Sequence, residues 1–251
     1  MTFAFVHGAY GHSSDFDEVR AGLEPSVALS LPGHDFEAAH DFEHAVDLLL
    51  QQLPKRSVGV GYSMGGRLLL SAARKAPERF LGLVLESAHI GNLSDEARKK
   101  RLILDEQRAR DIQENPEAFL SAFWSLDLFK SFAAHPKRSA LLAARVKRAQ
   151  KNKSDLAKSV LAMSVAHQPD ATEMLSQNAR PILFIAGALD AKYVSHHASV
   201  VAAANAQSEC LVIEGAGHNV HQEARDAYIK ALKRFAAKAR LFKAKCIEEL
   251  V

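Results

Sequence analysis

Residues 61–65 read Gly61-Tyr62-Ser63-Met64-Gly65, between an apolar run at 57–60 and a stretch with helical spacing at 67–73. The pattern Gly-x-Ser-x-Gly between a strand and a helix is typical of a nucleophile elbow, a sharp turn that exposes the serine hydroxyl. The flanking glycines are needed because side chains there would collide with the neighbouring strand and helix. The start of the helix also favours developing negative charge. The motif therefore predicts a reactive serine at position 63.

A serine of this kind needs a histidine to take its proton and an acid to orient that histidine. In proteins with this elbow, the acid and then the histidine follow the serine along the chain, each after a strand. Residues 181–186 and 209–213 form short apolar runs that predict strands, and Asp190 and His218 follow them. We therefore predict a catalytic triad of Ser63, Asp190 and His218.

Other acids and histidines lie near predicted loops. Glu86 and Asp170 are alternative acids, but the position after the penultimate strand favours Asp190. The chain has twelve histidines, and four besides His218 fall close to predicted strand ends or to the acid loop. These four are His89, His196, His197 and His221.

Negative charge that develops beside the serine needs two backbone N–H donors, which together form an oxyanion hole. The first is expected from the residue after the serine, Met64, and the second from a loop that follows an early strand. Residues 2–6 predict such a strand, and it leads into His7-Gly8-Ala9-Tyr10-Gly11. We therefore expect the N–H of Ala9 to be the second donor.

The size and composition of the chain limit the possible classes of protein. A chain of 251 residues forms one domain, or one core with an insertion. No apolar run approaches the roughly 20 residues that span a bilayer, and a strand starting at Thr2 leaves no room for a signal peptide. Cys210 and Cys246 suggest neither a disulfide framework nor a metal site. We expect a cytoplasmic protein without a metal.

The formal charge of +3 is mild for a chain of this length. Basic residues are concentrated near 98–101, near 145–148 and in the C-terminal stretch 230–245. No aromatic residues alternate with the C-terminal basic run, as they would in many nucleic-acid interfaces, so we interpret it as a solvated helix face. We expect neither nucleic acid nor a membrane as a partner, and a monomer or small homo-oligomer.

Short apolar strands alternate with amphipathic helices along the chain, which predicts a mostly parallel sheet with helices on both faces. The predicted strands are 2–6, 26–31, 57–62, 82–87, 181–186 and 209–213. The helices between them are 36–53, 66–76, 197–206 and 222–241. A long segment, 91–176, contains only helical patterns, at 95–114, 116–124, 139–152 and 154–166. We expect a core of 1–90 and 177–251, with 91–176 as a helical lid.

Over nearly its full length the chain resembles the α/β-hydrolase superfamily. Within it, the chain looks like the synthases of menaquinone biosynthesis that form 2-succinyl-6-hydroxy-2,4-cyclohexadiene-1-carboxylate. The stretches that carry this resemblance are GYSMGGRL at 61–68, LESAH at 85–89, QPD at 168–170, AGALDAKY at 186–193 and GAGHNVH at 215–221.

The resemblance implies a lyase built on a hydrolase fold. Members of the family remove a proton from a substrate with several carboxylates, expel pyruvate and form the cyclohexadiene ring. Ser63 would then act as a base, activated through His218 and Asp190, without forming an acyl enzyme. The oxyanion hole would hold negative charge on a substrate carboxylate conjugated to the carbanion. No cofactor is implied, and the substrate is a small anionic molecule.

A polyanionic substrate in a site poor in water needs cationic donors, and guanidinium groups bind carboxylates through two hydrogen bonds. Arg67 lies four residues after Ser63, in the first turn of the elbow helix. A cation there opposes the helix dipole, so its presence needs another reason. We expect Arg67 to bind a substrate carboxylate.

The family pattern places two further substrate arginines in the lid, at Arg101 and Arg148. Arg98 and Arg145 each lie within one helical turn of these positions and remain as alternatives. The same pattern implies three aromatic contacts to the substrate, one of them where some members have a small or hydroxyl-bearing residue. These are Tyr62, Trp124 and, at that last position, Tyr10.

The serine motif leaves three functions open, because one fold can support many reactions. The first is the synthase that eliminates pyruvate. The second is a carboxylesterase or thioesterase that uses the same triad through an acyl enzyme. The third is a binding protein without catalysis, which an intact triad argues against. The arginines distinguish the synthase from the esterase, since hydrolysis of a generic ester needs no arginine beside the serine.

Overall fold

Six parallel strands form one sheet at the centre of the protein, in the order β2-β1-β3-β4-β5-β6. The computed structural model describes residues 1–248; the side chains of Lys243, Lys245, Cys246, Ile247 and Glu248 and all of residues 249–251 lie outside the described part. The strands are β1 (Phe3–Val6), β2 (Ser26–Leu29), β3 (Ser57–Tyr62), β4 (Phe80–Glu86), β5 (Ile182–Gly187) and β6 (Ser208–Ile213). Each pairs in parallel with its neighbours, which confirms the predicted sheet.

Helices cover both faces of this sheet. In the described residues they are α1 (Asp17–Arg20), α2 (Phe42–Gln52), α3 (Met64–Lys75), α4 (Asp95–Glu114), α5 (Pro116–Phe123), α6 (Arg138–Ala162), α7 (Thr172–Gln177), α8 (Ala191–Ala203), α9 (Val220–Glu223) and α10 (Arg225–Glu248). Successive strand residues point to opposite faces. In β1, Phe3 and Phe5 therefore join a core that includes α10, and Ala4 and Val6 join the core that includes α2 and α3.

Several helix boundaries differ from the sequence prediction for local reasons. The helix predicted from residue 36 begins at Phe42, because Asp41 caps it by accepting the N–H of His44 at 2.7 Å. The helices predicted at 139–152 and 154–166 are one element, α6, with a kink at Asn152 (φ −137°, ψ 33°). The last predicted helix is divided into α9 and α10, because the backbone leaves helical geometry at Ala224 (φ −136°, ψ 51°).

Between β4 and β5 the chain forms a helical segment in which α4 packs against α5 and α6. The guanidinium of Arg98 joins the two ends of this segment. One of its nitrogens donates to the main-chain oxygens of Ala166 and Gln168, at 2.8 and 2.9 Å, and another donates to the oxygen of Gly91 at 2.5 Å. Arg98 is therefore a structural residue that closes the base of the segment.

The C-terminal helix presents one face to the sheet and the other to solvent. Tyr228, Leu232 and Phe235 of α10 are buried in the core, whereas Lys233 and Arg234 are exposed. The described basic residues Lys230, Lys233, Arg234 and Arg240 thus lie on the outer face of the helix. None of the helices in residues 1–248 is long and apolar enough to cross a membrane.

Acid is expected to destabilise this fold below pH 6.5. Burial lowers the pKa of four histidines, to about 3 for His7 and His89 and to about 4 for His34 and His197. These groups take up protons in the unfolded chain but stay neutral in the native one. Each therefore removes up to about 1.4 kcal/mol of stability per pH unit between pH 6.5 and its native pKa.

Thermal unfolding between pH 8 and pH 4.5 measures this effect. The melting temperature should be level above pH 6.5 and fall below it. His34→Asn should flatten the decline, whereas His40→Asn, at an exposed position, serves as the matched control. A melting temperature that does not change down to pH 4.5 would contradict the assignment of neutral histidines.

Candidate active site

Ser63 lies between the end of β3 and the start of α3, in a strained backbone conformation with φ 49° and ψ −109°. The turn is tight enough that its glycines cannot be replaced without moving the main chain. A Cβ on Gly61 would lie 2.5 Å from the nitrogen of Gly66, and one on Gly65 would press against the main-chain oxygens of Val6 and His7. The elbow predicted from the motif is thus present as a strand–turn–helix with Ser63 at its apex.

Asp190 and His218 follow β5 and β6 and meet at the same edge of the sheet. His218 Nδ1 lies 2.6 Å from Asp190 Oδ2, and both side chains are buried. The other carboxylate oxygen of Asp190 accepts the N–H of Tyr193 at 3.3 Å. A carboxylate only accepts hydrogen bonds, so this contact assigns the proton to Nδ1 and leaves Nε2 free to accept a proton.

A cavity of about 440 Å³ opens over the serine and is lined by both Ser63 and His218. Ala9 and Met64, the two expected oxyanion donors, also line it. Its walls come from the loop after β1, the elbow, the acid and base loops, and the helical segment between β4 and β5. The inserted helices therefore form the side of the cavity that faces the triad.

Arg67 lines this cavity from the first turn of α3, beside the serine. The residue is only 6% exposed, and its Nη1 donates to the main-chain oxygen of Met163 at 2.9 Å. Burial, together with the nearby Arg101, lowers the pKa of Arg67 to about 10, so the group stays charged at neutral pH. A buried cation with one neutral partner is well suited to bind an anion in the cavity.

The α4 helix contributes two more cations, arranged around one carboxylate. Asp105 is buried; its Oδ2 accepts from Nε of Arg101 at 2.8 Å and from the hydroxyl of Ser164 at 2.6 Å. Its Oδ1 accepts from Nη1 of Arg108 at 3.1 Å. Both arginines line the cavity. Asp105 therefore holds a pair of guanidinium groups at the cavity wall.

The charge of the cavity is strongly positive. Among the described residues that line it, four are Lys or Arg and one is a carboxylate, Asp105. The fourth cation is Lys192, from the first turn of α8. His89 also lines the cavity, but burial and its neighbours His196 and Arg67 lower its pKa to about 3, so it adds no charge. The site is thus suited to a ligand with several negative charges.

Aromatic rings form the remaining wall. Tyr10, Tyr62 and Trp124, all predicted to contact substrate, line the cavity together with Phe123 and Phe129. Tyr10 packs edge-on against Phe123 with ring centroids 4.8 Å apart. Trp124 lies against Phe129 at 4.4 Å. These contacts fix the rings and give the cationic cavity one apolar side.

Arg148 lies outside this cavity, contrary to the prediction that it binds substrate. It lines a separate space of about 10 Å³, near Gly33 and His34. Its rival Arg145 is buried instead in a pair with Asp15 at 2.9 Å. The two arginines are three residues apart on α6, and both line this separate space.

The guanidinium of Arg145 also lies 4.4 Å from the centre of the Trp124 ring. Neither Arg145 nor Arg148 is among the residues that line the serine cavity. Arg145 therefore supports an aromatic wall of the cavity from behind.

The alternative acids have other partners. Asp170, two residues before α7, accepts the N–H of Thr172 at 2.8 Å and its hydroxyl at 2.6 Å. Glu86 is fully buried and contacts His221, with His221 Nδ1 2.8 Å from Glu86 Oε1. Asp190 is thus the one of the three acids that the structure places against His218.

Arg108, Lys192 and Tyr193 line the cavity but were missing from the predicted site. A signal for Arg108 was present in the sequence. Residues 101, 105 and 108 have the spacing i, i+4 and i+7, which places them on one face of a helix. Lys192 and Tyr193 lie just after Asp190, so the turn that positions the acid also carries them to the cavity.

Comparison with known proteins identifies the family of this chain. Residues 3–231 match the model of an α/β-hydrolase family. The chain is 32% identical over 229 residues to the 2-succinyl-6-hydroxy-2,4-cyclohexadiene-1-carboxylate synthase of Enterobacter sp. (strain 638), covering 87% of this chain and 85% of the relative. It is also 32% identical to the synthase of Salmonella newport (strain SL254), covering 88% of each.

Solved structures show the same fold at lower sequence identity. MenH from S. aureus superimposes with a TM-score of 0.87 and 23% identity, covering 96% of this chain and 94% of that one. A thermophilic esterase from Thermogutta terrifontis has a TM-score of 0.79 and 24% identity, covering 95% and 90%. The family match and the sequence relatives establish that the protein is an enzyme of the α/β-hydrolase family.

Proposed function

We propose that this enzyme is a lyase that eliminates pyruvate from a polycarboxylate cyclohexene intermediate, giving 2-succinyl-6-hydroxy-2,4-cyclohexadiene-1-carboxylate. The observation that carries the proposal is the set of cations around the serine. Arg67, Arg101, Arg108 and Lys192 line one cavity with Ser63. The hydrolysis of a neutral ester would require none of these charges, whereas a substrate with several carboxylates requires them. Two sequence relatives carry the name of this synthase.

In the proposed mechanism, the oxygen of Ser63 removes a proton from a ring carbon while its own proton passes to His218 Nε2. Asp190 stabilises the imidazolium that forms. The electron pair left on carbon is delocalised into a conjugated carboxylate, and the N–H groups of Ala9 and Met64 stabilise the negative charge. The pair then completes the second ring double bond as the bond to the pyruvate-bearing oxygen breaks. The departing enolate takes up the proton held by His218 on its carbon and becomes pyruvate, which returns His218 to its neutral form.

The environment of the site supports this chemistry. Arg67 beside the serine holds a carboxylate where charge develops, and a buried cation acts more strongly than one in water. In this proposal the Arg101–Asp105–Arg108 group binds a second carboxylate of the substrate. The aromatic side of the cavity, with Trp124, suits the ring of the substrate. No step requires a metal or cofactor.

A second candidate is a carboxylesterase or thioesterase. Its support is the His218–Asp190 contact behind Ser63, which equally suits attack by the serine and formation of an acyl enzyme. The two candidates differ in the bond that is broken, carbon–oxygen elimination in one and acyl transfer in the other. They also differ in whether the cations that line the cavity are needed to bind the substrate.

One assay separates the two candidates. The purified enzyme is supplied with the pyruvate-bearing pathway intermediate, and pyruvate release is followed through lactate dehydrogenase and NADH. A parallel reaction contains a short-chain nitrophenyl ester. We expect pyruvate release with kcat/KM at least 10³-fold above that for the ester, about 4 kcal/mol in favour of the polyanion. Rapid ester cleavage without pyruvate would contradict the lyase and favour the esterase.

A further inference from the structure

Two carboxylates outside the triad hold the loop that carries His218. The first is Glu223, in α9. Its Oε2 accepts the N–H of Gly217 at 2.9 Å, and its Oε1 accepts the N–H of Asn219 at 3.0 Å. One carboxylate thus binds the main-chain N–H of the residue before the histidine and that of the residue after it, which fixes the backbone on both sides of His218.

The second carboxylate is Glu86, the last residue of β4. It is fully buried, and its Oε1 accepts the main-chain N–H of His221 at 3.1 Å and lies 2.8 Å from His221 Nδ1. The next residue, Ser87, donates its hydroxyl to the main-chain oxygen of His218 at 3.1 Å. The end of β4 therefore contacts this part of the chain at two points, at His218 in the loop and at His221 in α9.

The same strand end also holds the nucleophile. The main-chain oxygen of Glu86 accepts the N–H of Ser63 at 2.8 Å. Glu86 is thus bonded to the elbow through its backbone and, through its side chain, to His221 in α9, directly after the loop that carries His218. This connection fixes the position of the serine relative to that of the loop, although the two segments are more than 150 residues apart in the sequence.

The loop needs such support because it lies between β6 and α9, where regular secondary structure does not hold its main chain. It also contains Gly215, with φ +74°, and Gly217, so its backbone has unusual freedom. A catalytic group must be held within about 0.5 Å of its working position. A displacement of about 1 Å reduces the rate by about 10²-fold.

We propose that Glu223 and Glu86 are positioning residues that set the direction of His218 toward Ser63. The proposal rests on the use of His218 as the base, which the lyase and the esterase share. It does not depend on the identity of the substrate. Both carboxylates act through the main chain or through His221, and neither lines the cavity in the described part of the chain.

The test measures the reactivity of Ser63 with a fluorophosphonate probe, which requires no knowledge of the natural substrate. Glu223→Ala removes both main-chain contacts and should slow labelling about 10²-fold. Glu223→Gln keeps one acceptor oxygen and should slow it about tenfold. Glu86→Gln keeps the oxygen that makes two of the three His221 contacts and should stay within threefold of wild type, whereas Glu86→Leu should lose about 10²-fold. Glu214→Ala, at an exposed position in the same loop, is the matched control.

Turnover supplies a second readout. With whichever substrate the enzyme accepts, kcat should fall in parallel with labelling while KM changes less than twofold, since the binding cations are untouched. If Glu223→Ala and Glu223→Gln label at the rate of Glu214→Ala, the proposal is wrong, even if their melting temperatures are lower. If Glu86→Leu does not fold, the Glu223 pair still decides. Absence of pyruvate release would overturn the lyase but leave this test intact.

Discussion

Replacing Ser63 by alanine is expected to eliminate nearly all turnover while leaving the melting temperature within about 2 °C of wild type. The hydroxyl is the only group removed, and alanine fits the same backbone turn, so folding loses nothing that the serine side chain provides. The loss in kcat should also identify the role of the serine. A positioned general base contributes about 10²–10⁴-fold, whereas removal of a covalent serine nucleophile costs about 10⁶-fold.

The measurement is kcat on the pyruvate-bearing intermediate and on the nitrophenyl ester, with circular dichroism to establish that the variant is folded. Ser71→Ala is a suitable control, because Ser71 is a buried serine in the same helix α3 and lies outside the cavity lining. A Ser63→Ala enzyme that retains more than a tenth of wild-type pyruvate release would show that the serine is not the base.

Local signals in the sequence were sufficient to predict the fold, and they led to the triad as a prediction. Ser63, Asp190 and His218 each follow a short apolar run within about five residues, and in a parallel sheet such positions meet at one edge. The alternation of strands and helices along the chain predicted a parallel sheet with helices on both faces, because each strand must be buried between two layers. The prediction of helix ends was less accurate where a single capping residue determines the boundary, as Asp41 does for α2.

The inserted helices could not be oriented from sequence in the same way. A helix pattern gives the residues of one face but not the element that this face meets, so Arg145 and Arg148 could not be assigned. The partner of Arg145, Asp15, lies 130 residues away in the chain. The spacing of Arg101, Asp105 and Arg108 was more informative than that of Arg145 and Arg148. Three charged residues on one helix face indicate that they interact with one another or with a common ligand.

The contact of Glu86 with His221 could not be predicted from local sequence either. From sequence it was a rival to Asp190, because it follows a strand as the acid should. The structure pairs it with His221, 135 residues later. Long-range pairing of buried polar groups depends on how loops close over the sheet, and no sequence window contains both partners.

Replacing Arg67 by methionine is the second change with a large expected effect. Methionine keeps most of the buried volume but removes the charge and the donors. A hydrogen bond to a charged group contributes about 1.5–3 kcal/mol, so kcat/KM for the polyanionic intermediate should fall about 10²-fold. Hydrolysis of a neutral nitrophenyl ester should fall less than threefold, because that substrate has no carboxylate for the arginine to bind.

Rates on the same two substrates should rank the contributions of the other cations to kcat/KM. Arg108→Met is expected to cost about tenfold on the intermediate, because Arg108 is partly exposed and already shares Asp105 with Arg101. Arg110→Met, an exposed arginine of α4 bonded to Gln107, is the control and should not change either rate.

The ratio of the two rate losses distinguishes binding from folding. Arg67 also bonds to the oxygen of Met163, so its removal lowers stability to some extent, and that loss would reduce both activities equally. A selective loss on the polyanion can come only from a contact that the polyanion makes. Equal losses on both substrates would remove the reason for assigning the cations to substrate carboxylates, and the esterase would then be the better account of this site.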